Sequence, residues 1–210
     1  MGRIGRDFIA AALVAGGVSL AAFGRSDPFQ PEIAEKIIRF HVLADSDSKE
    51  DQQLKLFVRD SVGALMEPRL AASSGIKETR EIIEASIPDI VETAEQTLQE
   101  NGSGDKVTAR LTHTDFPVKS YGSYTFPEGN YEALQVTIGA GKGHNWWCVL
   151  YPNMCFQDSV YEVDEQSGEV LKEVLSPEEY EDVFRNGNYE VHSKLLDFLK
   201  SHCDFDGTDI

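Results

Sequence analysis

The sequence predicts a single α+β domain: a mostly antiparallel sheet, two helices inserted after the first strand, and further helices at the C-terminal end. Three observations carry that prediction. Residues 36–43 alternate with the period of a strand, and residues 49–100 then follow helical spacing in two long runs. From Val107 onward the period returns to two, until polar and helical signals resume near Ser176.

The first strand is read over Lys36–Leu43. Ile38, Phe40 and Val42 form one row, and Ile37, Arg39, His41 and Leu43 the other. Both rows are largely apolar, which places the strand centrally with cover on both faces. It ends at Asp45-Ser46-Asp47-Ser48, where Asp47 is expected to cap a helix, with Glu50 three residues on completing a capping box. That helix runs to about Leu70, with Leu54, Phe57, Val58, Val62, Leu65 and Met66 as its core stripe. Pro68 sits awkwardly in its last turn. After Ser73-Ser74-Gly75 a second helical region spans Lys77–Glu100, its apolar face made of Ile83, Ile87, Ile90, Val91, Ala94 and Leu98. Pro88 is expected to kink or divide it, and Asn101-Gly102-Ser103-Gly104 ends it.

Half-buried strands are then expected at 107–112, 121–126 and 133–138, with a turn at Pro127-Glu128-Gly129-Asn130 between the last two. Short strands are read at 148–151 and 160–163. Ser176-Pro177-Glu178-Glu179 opens a helix, with Ser at the cap, Pro first and Glu third. A last amphipathic helix presents Val191, Leu195, Leu196 and Leu199.

The N-terminal stretch reads differently. Arg3 and Arg6 precede an apolar run from Phe8 to Gly24 with small residues at Ala21, Ala22 and Gly24. This is the pattern of a secretory signal peptide, or of a signal anchor that stays uncleaved. The expected organisation is a signal segment over 1–24, a short linker over 25–35 and one domain over 36–210. The chain carries 19 Lys+Arg against 36 Asp+Glu, a formal charge of −17. Without residues 1–24 the balance becomes 17 against 35, or −18. Such a surface excludes a nucleic-acid binder, which needs a basic footprint, and disfavours adhesion to anionic lipid.

Chemistry-bearing residues concentrate in Gly139-Ala140-Gly141-Lys142-Gly143-His144-Asn145-Trp146-Trp147-Cys148. Gly143 follows Lys142 where a phosphate-binding loop needs Ser or Thr, and dinucleotide spacing is missing. Cys148 and Cys155 enclose a short loop and are candidates for a disulfide, with two reduced, buried cysteines as the competing reading. Cys203 is left over. A thiol hydrolase is the sharper enzymatic alternative, with Cys148 as nucleophile and His144 or His41 as base. Asp45-Ser46-Asp47 begins like a calcium loop, but Lys49 stands at an oxygen-ligand position and the glycine is missing. His41, His113, His144, His192 and His202 lack zinc spacing. Neither a metal nor another cofactor is expected. The residues alone point to an exported interaction module.

Two stretches carry a resemblance. One is Ile37-Ile38-Arg39-Phe40-His41-Val42-Leu43-Ala44-Asp45-Ser46-Asp47-Ser48, continuing through Glu50-Asp51-Gln52 and Leu54-Lys55 to Val58-Arg59-Asp60. The other runs from Tyr124-x-Phe126-Pro127-x-Gly129-x-Tyr131-x-Ala133-Leu134 through Ile138-Gly139-x-Gly141-x-Gly143-x-Asn145-Trp146-Trp147-Cys148 to Pro152, Cys155 and Phe156. Over roughly residues 30–160 the chain resembles the stage II sporulation protein R family. The resemblance implies a protein made in the forespore and exported into the space between the two membranes. There it would trigger a membrane-embedded aspartic protease that processes the sigma-E precursor. It implies no catalytic residues. From residue character, the partner-binding surface is expected at exposed Arg39, His41, Asp45 and Asp47 on one edge, and at Asn145, Trp146 and Trp147 on the other. The competing reading puts Phe40, His41, Trp146 and Trp147 in the core beneath the glycine loop.

Overall fold

The computed structural model describes residues 27–71, 73–152, 154–155 and 165–186. The N-terminal segment 1–24, the strand expected at 160–163, the helix expected around Val191–Leu199 and Cys203 lie outside the described residues.

The chain enters through helix α1 (Gln30–Lys36), which begins with Pro31 in its first turn and buries Ile33 completely. The stretch expected as a linker over 25–35 therefore contributes an apolar anchor to the fold. Strand β1 (Ile38–Leu43) follows directly and is buried almost throughout. Helices α2 (Lys49–Leu70) and α3 (Ile76–Glu100) then form an antiparallel pair before the chain returns to the sheet. Strand β2 (Val107–Phe116), the short hairpin β3 (Lys119–Tyr121) and β4 (Tyr124–Phe126), and strands β5 (Gly129–Ile138) and β6 (Asn145–Tyr151) come next. Helices α4 (Glu165–Val174) and α5 (Pro177–Asn186) complete the described fold.

The main sheet has the order β2-β5-β1-β6. β5 pairs antiparallel with β2 and β1 antiparallel with β6, while the central β1–β5 pair is parallel. Strand alternation divides the side chains between two cores. Phe40, Val42, Leu134, Val136, Cys148 and Leu150 pack beneath Val58, Val62, Met66, Ile83, Ile90 and Leu98 of α2 and α3. On the opposite face Tyr131, Ala133 and Val149 meet Ile33, Tyr124, Phe126, Leu171 and Val183 of α1, the β3–β4 hairpin, α4 and α5. Lys36 at the end of α1 ties to Glu179 of α5 through bonds of 2.8 and 2.5 Å.

Several local expectations are corrected. Ser48, not Asp47, caps α2, because Ser48 has the extended backbone of a cap and its Oγ accepts from the Asp51 amide at 3.0 Å. Pro68 and Pro88 leave both long helices unbroken. Pro88 lies beside exposed Glu84, so the carbonyl that loses its helical partner is on the solvent side. The single strand expected over 121–126 is a hairpin, turning at Gly122 with φ of 55° and pairing Tyr121 with Tyr124. Phe57, placed in the core stripe, is exposed. The cap of α5 follows the sequence: Glu179 N donates to Ser176 Oγ at 3.3 Å, and Ser176 N donates to the Glu179 carboxylate at 2.6 Å.

Candidate interaction surface

The two motif loops are clasped to each other. Residues 44–48 leave β1, residues 139–144 join β5 to β6, and the parallel and antiparallel neighbours of β1 bring both to one end of the sheet. Asp45 Oδ1 accepts from the Ala140 amide at 2.5 Å. Asp47 Oδ1 accepts from the His144 amide at 2.6 Å and meets His144 Nδ1 at 2.5 Å. Backbone bonds run from Lys142 N to Asp45 O at 3.0 Å and from Gly143 N to Ala44 O at 2.9 Å. From α2, Lys55 Nζ donates to His144 O at 2.9 Å, and Gln52 Nε2 donates to Ser46 O at 2.9 Å. Ser46 Oγ donates to Asp51 Oδ2.

This contact explains the glycine spacing. A methyl group at Gly143 would fall on the Ser46 carbonyl, and one at Gly139 would strike the Asp45 carboxylate. Gly139 also has φ of 53°, a conformation that disfavours a side chain. Hydrogen bonds from His144 hold Asp47 below the usual carboxylate range. Burial lowers the Lys55 ammonium from its ordinary range. Gln52 and Lys55 were visible only as motif members; their reach to the glycine loop depends on where α2 crosses the strand ends.

Arg39 and His41 are not exposed, contrary to the expectation. Arg39 is completely buried: Nε donates to Cys148 O at 3.2 Å and Nη2 to Tyr121 Oη at 3.0 Å. Its guanidinium carbon lies 4.5 Å from the Phe116 ring centre, 5.1 Å from that of Tyr131 and 5.3 Å from that of Phe126, an aromatic cage around a fixed cation. His41 is 2% exposed and stacks on Trp147 at 5.0 Å. Burial, reinforced by the charges of Arg39 and Arg110, lowers its imidazole to about 4. Among the described residues, neither ring nitrogen of His41, nor Nη1 of Arg39, has a hydrogen-bond partner. An alternating polar residue in a strand suggests a solvent face, but the cover comes from aromatic rings far along the chain: Phe116 and Trp147 over His41, and Phe116, Tyr121, Phe126 and Tyr131 around Arg39.

Trp146 and Trp147 point to opposite faces, as adjacent strand residues must. Trp146 meets Phe40 edge-on at 5.5 Å and packs against the helix-side core, with Arg59 over its ring at 5.3 Å. Trp147 lies against His41 and Phe116, with Lys119 Nζ 5.8 Å from its ring centre. Both indoles are half-buried, one on each face of the sheet. Asn145, also half-buried, opens β6 opposite Leu43.

Cys148 and Cys155 are buried, their sulfurs stand at bonding distance and their Cα atoms are 5.7 Å apart, within disulfide range. Bridging removes Cys148 as a nucleophile. Neither proposed base stands beside it: His144 is turned to Asp47, and His41 projects from the other side of the sheet. Among the described residues, no group of three or more His, Cys, Asp or Glu is placed to hold a metal ion. No helix among them is long and apolar enough to cross a membrane.

Comparison with known proteins bears on the same part of the chain. The family model described as "Stage II sporulation protein R (spore_II_R)" matches residues 34–161, which include both motif loops and all of the main sheet. Stage II sporulation protein R of Bacillus subtilis (strain 168) is 38% identical over 141 residues, covering 67% of this chain and 60% of that relative. The chain thus spans less than two thirds of that relative's length. No solved structure matches. The chain belongs to the stage II sporulation protein R family, a family of sporulation proteins.

Proposed function

We propose that this protein is an exported, non-catalytic signal of endospore formation. It is made in the forespore and delivered by its N-terminal segment into the space between the two membranes. There it activates a membrane-embedded aspartic protease, which processes the sigma-E precursor. The family match over residues 34–161 carries this reading. The site geometry agrees with it: the loops richest in polar residues bond to each other, and the candidate nucleophile Cys148 is buried in reach of Cys155. Such an arrangement shapes a rigid surface, whereas a thiol hydrolase needs an accessible thiolate beside a base.

The test is co-expression of this chain with the candidate protease and the sigma factor precursor. Precursor cleavage is expected only when this chain is present, and is expected to disappear when the protease's catalytic Asp is replaced. Cleavage that proceeds equally without this chain rejects the signal role. Cleavage that depends on Cys148 but not on the protease's Asp restores the hydrolase reading.

A further inference from the structure

Among the described residues, the sheet face opposite α2 and α3 is covered at one end only, by α1, the β3–β4 hairpin, α4 and α5. Above the second core, two cross-strand rows run over all four strands. One row is Thr108, Thr137, Leu43 and Asn145; the next is Arg110, Gln135, His41 and Trp147. Thr108 and Arg110 are exposed, and Leu43, Gln135, Thr137 and Trp147 are half-buried. The chain has nearly twice as many Asp+Glu as Lys+Arg, yet these rows contain no carboxylate. They contain Arg110, with Arg39 in the adjoining row and Lys119 leaning over Trp147. Arg110 makes no ion pair among the described residues. Its guanidinium donates instead to the neutral Gln135 side chain at 3.1 and 3.0 Å. In the same row, His41 has no hydrogen-bond partner for either ring nitrogen among the described residues, at 2% exposure. Buried polar atoms are rarely left so, because each unmade bond forfeits the water it replaced.

We propose that this half-face is the docking surface for an acidic, extended segment of the receptor protein, with carboxylates meeting Arg110 and Lys119 and apolar side chains lying on Leu43 and Trp147. Charge complementarity selects the occupant: a cationic strip free of carboxylates, on a chain otherwise rich in them, attracts acidic groups and orients their approach. The motif loops then serve as the brace at the end of this face, not as its contact surface. This assignment rests on the signalling role proposed above.

Arg110→Glu tests it, with exposed Lys77→Glu at the start of α3 as a change of the same charge elsewhere. In the co-expression assay Arg110→Glu is expected to lower precursor cleavage about tenfold or more, and Lys77→Glu to stay within about twofold. Unchanged thermal unfolding of both variants shows that the fold is kept. Equal stimulation by wild type and Arg110→Glu overturns the surface while leaving the signalling role standing. No stimulation by the wild type rejects the signalling role, and a direct titration then decides the surface. An oligoglutamate peptide added to the purified chain is expected to shift the amide resonances of Leu43, Arg110, Gln135 and Thr137, and to do so far less in Arg110→Glu. Shifts that are absent, or that fall on α2 and α3, overturn the docking surface whatever the outcome in cells.

Discussion

Arg39 and His41 occupy one side of β1, where a strand normally alternates core with solvent, and both are enclosed by aromatic rings. Enclosure fixes their protonation in opposite senses. Arginine keeps its charge in any folded protein, so Arg39 needs its two bonds and the surrounding ring faces. His41 escapes the cost by staying neutral, its imidazole lowered from 6.5 to about 4. The unfolded chain therefore takes up a proton as pH falls through 6.5, while the folded chain resists until about 4. The stability from neutral His41 is complete above 6.5 and is lost as pH falls towards about 4, a difference of roughly 3 kcal/mol. His41→Phe removes that slope; in urea unfolding across this window it should lose roughly 3 kcal/mol less than wild type. Equal pH slopes would show that His41 does not titrate on unfolding. At Arg39 the volume and the charge separate experimentally. Arg39→Ala empties a fully buried site and should cost about 3 kcal/mol, whereas Arg39→Met, which fills much of it without charge, should cost distinctly less.

At the level of elements, the clasp between the β1–α2 loop and the β5–β6 loop decides where two strands end and where α2 begins. Gly143→Ala drives a methyl into the Ser46 backbone, which cannot swing aside as a side chain can, and should lower stability by about 2 kcal/mol. Gly104→Ala meets open space and should stay within about 0.5 kcal/mol of wild type in the same urea titration. The bridge between β6 and Cys155 closes a short loop, so Cys148→Ala with Cys155→Ala should cost about 2 kcal/mol. Protein purified under air and unfolded without reductant should show one free thiol per chain, and all three after reduction. Two or three thiols before reduction would reject the bridge. The two long helices and β5 were legible because their apolar spacing is sustained over many residues, and the α5 cap because Ser176, Pro177 and Glu179 stand at the right offsets. Helix α1 was not, being seven residues with one core side chain, Ile33. The β3–β4 hairpin was hidden in an aromatic run whose only break is Gly122-Ser123. For the site, the residues that group at the motif loops could be read, but their partners could not: Asp47 reaches His144 and Arg39 reaches Tyr121 only after the sheet brings distant segments together. Polar character was therefore mistaken for exposure at Arg39 and His41.

Over the whole molecule the dominant electrostatic fact is the excess of carboxylates, with a formal charge of −17. Most ion pairs among the described residues have at least one well-exposed partner, as in Arg69–Asp89, Lys106–Glu95 and Lys172–Glu169. Exposed pairs of this kind contribute about 0–1 kcal/mol each. The unpaired carboxylates, by contrast, repel one another across the whole surface, and compaction brings them closer together than in the unfolded chain. Added salt acts on both: it weakens the few attractive pairs and shortens the range of the many repulsions from about 10 Å at 0.1 M to about 3 Å at 1 M. Repulsion is the larger sum here, because every unpaired carboxylate interacts with several others while each pair is a single contact. Sodium chloride should therefore raise the thermal midpoint, by about 2–4 °C for each kcal/mol of repulsion relieved in a chain of this size. The sign is the test. A midpoint that falls with salt would mean that the exposed ion pairs outweigh the mutual repulsion of the unpaired carboxylates.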